Sequence, residues 1–216
     1  MRFDEEGHLQ WTPTGLYNLI DAGPQRLVDR YLLNATPRAF PTYAGYHDFL
    51  EEVAGRIAVH PKNLFLRGSC QIGFSIAPKR KAWTAMGTGS DLDLAIVDED
   101  YFGRLDRQIQ ICEEINRAEF FSGDDSRHYV ARQKDRRDFN CCRADPLPGS
   151  LCVHHQDMTR SVAEMRHCGL HRPLKAFVYR DWWSVRRRYE YDLDQLRRGI
   201  LGGRVPPPPE EPFPAD

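Results

Sequence analysis

The fold is decided by Asn63-Leu-Phe-Leu-Arg-Gly-Ser69 and, further along the chain, by Ser90-Asp-Leu-Asp-Leu-Ala-Ile-Val97. Short apolar runs bounded by turn residues are typical of buried strands, which we expect over Asn63–Arg67 and Asp91–Val97. The first strand runs into a Gly-Ser turn at which a short helix begins. In the second strand, the side chains of Asp91 and Asp93 point to the same side, because successive side chains alternate between the two faces.

The two acids on this strand predict a metal site. Asp91 and Asp93 can bind one divalent ion together, and carboxylate oxygens suit Mg²⁺ or Mn²⁺. Such ions take further ligands from substrate phosphates, which a nucleoside triphosphate supplies. The chemistry that this pattern favours is in-line displacement of pyrophosphate by a hydroxyl group.

The turn before the short helix predicts a phosphate site. Backbone N–H groups at Gly68 and Ser69 lie at the positive end of the helix, and the Ser69 hydroxyl adds another donor. Gly68 has no side chain, so that a phosphate can approach its backbone closely.

Together, the run from Leu64 to Ser69, Gly73, and the run Ser90–Val97 resemble the signature of the DNA polymerase beta-like nucleotidyltransferase superfamily. The resemblance covers Phe65 to Asp98 directly. It implies a mixed β-sheet with helices packed on it, two-metal catalysis, and an NTP or dNTP substrate. It also implies that Ser90 lies near the triphosphate or the metal-binding turn.

The resemblance further implies a third carboxylate on a later strand. Asp138 is the candidate for this ligand and general base, since an apolar stretch follows it, and Asp124, Asp125 and Asp145 compete with it. Without a third acid, the alternative is a degenerate site that binds nucleotides or nucleic acid without turnover.

A long helix is expected from about Pro173, a favoured first-turn residue, to Gly202. By the same resemblance, Lys175 or Arg172 supplies a cation for the triphosphate, and Tyr179 an aromatic ring for the base. The alternative is that the aromatic residues face the core and the arginines of this helix are solvated or paired with its acids.

Three further features allow two interpretations each. The basic loop at Lys79–Lys81 contacts phosphates or is a solvated tip. Trp83 caps a base or anchors its loop. The pairs Cys152-x-His154 and Cys168-x-x-His171 have spacings compatible with zinc, but buried thiols and ordinary histidines are the simpler interpretation.

Composition and charge describe an ordinary globular chain of 216 residues. A net charge of −1 argues against a general electrostatic attraction to nucleic acid. With no signal peptide, no apolar run long enough for a bilayer and six cysteines expected to be reduced, we expect a cytoplasmic protein without membrane contact. We predict an α/β (α+β) protein with a lead-in (1–41), a catalytic domain (42–149), a helical C-terminal part (150–203) and a disordered Pro-rich tail (204–216).

The acceptor remains open at this stage. Small members of the superfamily make nucleotide or oligonucleotide signals in bacterial antiviral defence, modify a protein as toxin or antitoxin enzymes do, or modify small molecules. The basic loop and the arginine-rich helix favour the first class. A protein or oligonucleotide acceptor, and an effector or toxin partner, are the partners to expect.

Overall fold

The computed structural model describes residues 2–3, 9–28, 32, 36–77, 82–115, 134–143, 172 and 174–209. Several predicted features lie outside these residues. They are the basic loop Lys79–Lys81, the acids Asp124, Asp125 and Asp145, and the four Cys and His residues of the zinc alternative.

The described chain contains both helices and strands. The helices are α1 (Pro13–Ala22), α2 (Pro24–Leu27), α3 (Tyr43–Ile57), α4 (Ser69–Ile72), α5 (Glu99–Ile115) and α6 (Trp182–Leu201); the strands are β1 (Arg2–Phe3), β2 (Leu9–Gln10), β3 (Leu64–Arg67), β4 (Leu92–Val97), β5 (Cys141–Arg143) and β6 (Leu174–Tyr179). Residues 134–139 are also helical. The two predicted strands that flank the Gly-Ser turn are confirmed as β3 and β4, and the short helix between them as α4.

The larger sheet has four strands in the order β3-β4-β6-β5. β5 and β6 are antiparallel, with Cys141 opposite Tyr179 and Arg143 opposite Phe177. The predicted mixed α/β class is therefore confirmed. A separate two-stranded hairpin pairs β1 with β2.

β4 and β6 run parallel. The backbone N–H of Asp98, directly after β4, donates to the carbonyl of Tyr179, the last residue of β6, at 3.1 Å. The carboxyl ends of these two neighbouring strands therefore lie side by side. In a parallel ladder this bond aligns Val97 with Tyr179 and, counting back along both strands, Asp93 with Lys175.

The prediction of a helix from Pro173 is wrong for its first part, because Leu174–Tyr179 is the strand β6. A short apolar run satisfies helical and strand patterns alike, and here the pairing with two neighbouring strands decides. The helix α6 begins only at Trp182. The Asp181 carboxylate accepts hydrogen bonds from the backbone N–H of Ser184, at 2.7 Å, and from its hydroxyl, at 2.8 Å, which satisfies a donor of the first turn.

The chain forms two compact units, each built from separate segments. The first comprises Met1–Asp48, Leu66–Leu92 and Arg186–Asp216; the second comprises Phe49–Phe65 and Asp93–Val185. The predicted lead-in, 1–41, thus belongs to the first unit together with most of α6.

In the first unit, α1 and α6 bury apolar residues such as Leu16, Ile20 and Leu193. The start of the Pro-rich tail is ordered in this unit, contrary to the prediction of disorder from 204. Val205 is buried, and its N–H donates to the Gly199 carbonyl at 3.0 Å. Residues 210–216 lie outside the described part of the chain.

In the second unit, α5 packs against β5 and β6. It begins at Glu99, because Asp98 accepts a hydrogen bond from the backbone N–H of Tyr101 at 2.7 Å and caps the helix. No helix within the described residues is long and apolar enough to cross a membrane.

Candidate functional site

The turn between β3 and α4 depends on glycine. Gly68 has φ 72° and ψ −147°, a conformation that residues with a β-carbon rarely adopt. Its carbonyl accepts from the backbone N–H of Gln71 at 3.2 Å, and the Ser69 carbonyl accepts from the N–H of Gly73 at 2.8 Å. The predicted phosphate-binding residues thus lie on a tight turn whose shape these bonds define.

A buried polar network supports this turn from the protein interior. The Gln71 side-chain amide donates to the Leu32 carbonyl, and its oxygen accepts from the Tyr189 hydroxyl at 2.8 Å. Burial raises the pKa of the Tyr189 phenol well above its usual range, so that the hydroxyl keeps the proton it donates. The Arg67 guanidinium lies 5.5 Å from the centre of the Tyr189 ring and pairs with Asp192 at 3.1 Å.

The residues of this network escaped the sequence analysis as a group. Gln71 lies two residues after Ser69, but Tyr189 and Asp192 lie more than a hundred residues further along the chain. No sequence pattern connects Gln71 with Tyr189 and Asp192, so their contact could not be predicted.

A second backbone segment holds the other side of the turn. The N–H groups of Arg38 and Ala39 donate to the carbonyls of Gln71 and Cys70, each at 2.9 Å. A β-carbon at Gly73, where φ is 90°, would approach the Arg38 side chain to 3.1 Å. Glycine at 73 therefore permits both the end of α4 and this close packing.

The loop from Gly73 towards Asp91 folds back on itself. Phe74 pairs with Ala85 in an antiparallel bridge, and Trp83 is buried with its indole N–H donating to the Pro206 carbonyl at 3.0 Å. Trp83 therefore anchors its loop, which is the second of the two interpretations. The Ser90 hydroxyl accepts from the N–H of Gly87 at 3.0 Å and closes the turn that precedes Asp91.

Asp91 and Asp93 are both half-buried, and the residue between them, Leu92, is buried. In β4, Asp93 is half-buried while the other five positions are buried. Two partly accessible carboxylates two residues apart match a hard divalent ion that keeps several waters or phosphate oxygens among its ligands. The donor set therefore fits Mg²⁺ or Mn²⁺.

Lys175 and Tyr179 lie on β6 and not on a helix, which corrects their predicted setting. Lys175 is half-buried, whereas the Tyr179 side chain is only 1% exposed. A ring that is covered in this way has no open face for stacking on a base. The exposed aromatic residues nearby in sequence are Trp182 and Trp183. The Trp182 ring stacks on the Phe65 ring, with 5.5 Å between the ring centres.

The third carboxylate is not located by the structure. Asp138 lies in the helical residues 134–139, ahead of β5, whereas the resemblance implies a third carboxylate on a later strand. Within the part of the chain that the structure describes, no three or more His, Cys, Asp or Glu side chains are grouped to hold one metal ion. The role of Asp138 stays a prediction.

No family model, curated protein or solved structure matches this chain. The resemblance to the DNA polymerase beta-like superfamily therefore depends on the quoted motifs alone, and function must be argued from the residues of the site.

Proposed function

We propose that the chain is a metal-dependent nucleotidyltransferase of the DNA polymerase beta-like type. The observation that carries the proposal is Asp93, the half-buried carboxylate in a strand whose other five positions are buried. A carboxylate that stays partly accessible within a strand of buried side chains can be reached by a divalent ion, and this favours a functional role. Asp91, one residue before the strand, is a second half-buried carboxylate.

Each residue has a proposed role in this activity. Asp91 and Asp93 hold Mg²⁺ or Mn²⁺, and Gly68 and Ser69 bind the β- and γ-phosphates through backbone N–H groups and the Ser69 hydroxyl. A bound ion stabilises charge on the phosphates and helps to orient them. Ser90 shapes the turn before Asp91 through its bond to Gly87.

The proposed reaction transfers a nucleoside monophosphate from an NTP or dNTP to a hydroxyl group. The bond between the α-phosphorus and the oxygen that bridges it to the β-phosphorus breaks, and pyrophosphate leaves. The acceptor oxygen loses its proton and bonds to the α-phosphorus. Asp138 is the proposed base, by resemblance. The proposed setting is synthesis of a nucleotide or oligonucleotide signal in bacterial defence, with a protein acceptor of the toxin or antitoxin kind as the alternative.

The test is transfer of label from each α-³²P NTP and dNTP, with Mg²⁺ or Mn²⁺, by the purified full chain. We expect label to enter a small product, an oligomer ladder or a protein band, and to be lost in Asp91→Ala/Asp93→Ala. Asp48→Ala, which removes an exposed carboxylate on α3, is the matched control and keeps the activity. Transfer that survives the double substitution would refute the assignment.

A second candidate is a protein that binds nucleotides without transfer. The observation in its favour is that β6, the strand beside β4, carries no carboxylate between Leu174 and Tyr179. This candidate predicts nucleotide binding that depends on Asp91 and Asp93, with no transfer for any nucleotide or metal. Measuring nucleotide affinity beside the transfer assay separates the two candidates.

A further inference from the structure

Lys175 is the immediate cross-strand neighbour of Asp93. The bond from the Asp98 N–H to the Tyr179 carbonyl sets the parallel register of β4 and β6, and Asp93 lies five residues before Asp98. Residues aligned in this way lie on strands about 4.8 Å apart. The lysine side chain is long enough to reach the Asp93 carboxylate or a ligand bound to it.

The burial pattern independently places the two residues on one face. Leu92 and Leu94 in β4 are buried, as are Leu174 and Ala176 in β6, while Asp93 and Lys175 between them are half-buried. Because side chains alternate along a strand, the buried residues share one face and the two charged residues share the other.

A second cation lies on the same face. Arg143 of β5 is half-buried and directly opposite Phe177, and its guanidinium lies 4.8 Å from the centre of the Phe177 ring. Phe177 is two residues after Lys175, so its side chain points to the same face. In the sheet order β4-β6-β5, one carboxylate is therefore followed by two cations.

We infer that Lys175 of β6, beside Asp93, stands where the resemblance would place the third carboxylate on a neighbouring strand. The sheet accordingly holds one divalent ion through Asp91 and Asp93, and Lys175 contacts a phosphate group of the nucleotide, with Arg143 as a further cation on that face. An ammonium group beside Asp93 repels a second divalent ion and attracts phosphate oxygens. The inference rests on the proposed metal and nucleotide site.

The test measures Mn²⁺ binding to the full chain by electron paramagnetic resonance, with and without α,β-methylene-ATP. We expect one Mn²⁺ per wild-type chain and two for Lys175→Asp, which puts a carboxylate in place of the ammonium. Lys175→Met keeps the apolar stem without charge, and we expect it to bind one Mn²⁺ but the nucleotide on the order of tenfold more weakly. Lys62→Met, at an exposed lysine of the same unit, is the matched control and keeps wild-type affinity.

The outcomes separate the inference from the proposed function. Two Mn²⁺ per wild-type chain, or unchanged nucleotide affinity in Lys175→Met, would overturn the inference and leave the proposed function standing. Binding of neither Mn²⁺ nor nucleotide by the wild type would overturn both. The wild-type stoichiometry and Lys175→Met decide the matter even if Lys175→Asp does not fold, which circular dichroism shows.

Discussion

Single residues set the shape of the candidate phosphate-binding turn. Gly68 adopts φ 72° and ψ −147°, while Gln71, two residues into α4, is only 2% exposed yet makes hydrogen bonds with both ends of its side-chain amide. A buried amide whose groups are paired is held in one orientation, because losing a partner leaves a costly unsatisfied group. The turn is therefore shaped by its own backbone and by side chains beneath it.

Gly68→Ala tests the backbone part of this argument. The β-carbon opposes the observed φ and ψ, and we expect the free energy of unfolding to fall by about 1–3 kcal/mol and nucleotide affinity to fall with it. Urea unfolding followed by circular dichroism measures the first effect. The control is Gly55→Ala, at an exposed position inside α3 with no atom within 4 Å of the added carbon, which should raise stability by about 0.5–1 kcal/mol. Equal effects at the two glycines would contradict the assigned strain.

At the scale of elements, the junction between β6 and α6 separates a strand from a helix, although the spacing of apolar residues predicts one continuous helix across both. Tyr179 ends the strand, and Asp181 begins the helix by accepting two hydrogen bonds from Ser184. Arg180 between them pairs with Glu99 of α5 at 2.7 Å, and this hydrogen bond raises the pKa of its guanidinium. The cap thus fixes the first turn of α6 after Arg180, while strand pairing places Leu174–Tyr179, and with it Lys175, in the sheet.

Asp181→Ala removes this cap. We expect a loss of about 0.5–2 kcal/mol in the free energy of unfolding, the usual range for an N-cap acid. Chemical denaturation measures the loss. Asp194→Ala, on the same helix, removes the partner of the exposed Arg198 and should cost no more than about 0.5 kcal/mol. A cost for Asp181→Ala no larger than that of the control would show that the cap is not what starts α6.

At the scale of the molecule, residues far apart in sequence assemble the first unit. The Trp83 indole donates to the Pro206 carbonyl, and the Thr14 hydroxyl donates to the Pro209 carbonyl at 2.9 Å. Residues 205–209 thereby connect the loop before Asp91 with the start of α1. The beginning of the Pro-rich segment acts as a structural strap in this unit.

A chain that ends at Arg204 tests the strap. It loses the buried Val205 side chain and both carbonyl acceptors, and we expect stability to fall by about 2 kcal/mol or more. A chain that ends at Pro209 retains these contacts and serves as the control. Thermal unfolding followed by tryptophan fluorescence compares the two, and equal midpoints would mean that residues 205–209 do not stabilise the unit.

The local elements around the motif were predictable from sequence. β3, α4 and β4 follow from short apolar runs and a glycine turn, which are local patterns. The helix predicted from Pro173 failed at Leu174–Tyr179, since six residues with apolar spacing fit either structure. The predicted role of Tyr179, stacking on a base, needs an exposed ring, and its burial does not support that role.

The sequence by itself predicted the strand that carries Asp93, with Asp91 directly before it, and a tight turn at Gly68, because both follow from the geometry of neighbouring residues. Only the tertiary structure decided that Lys175 lies beside Asp93 and that Tyr189 supports Gln71. The physical reason is that strand order, register and buried hydrogen bonds depend on which distant segments pair, and the free energy of that pairing is a property of the whole chain.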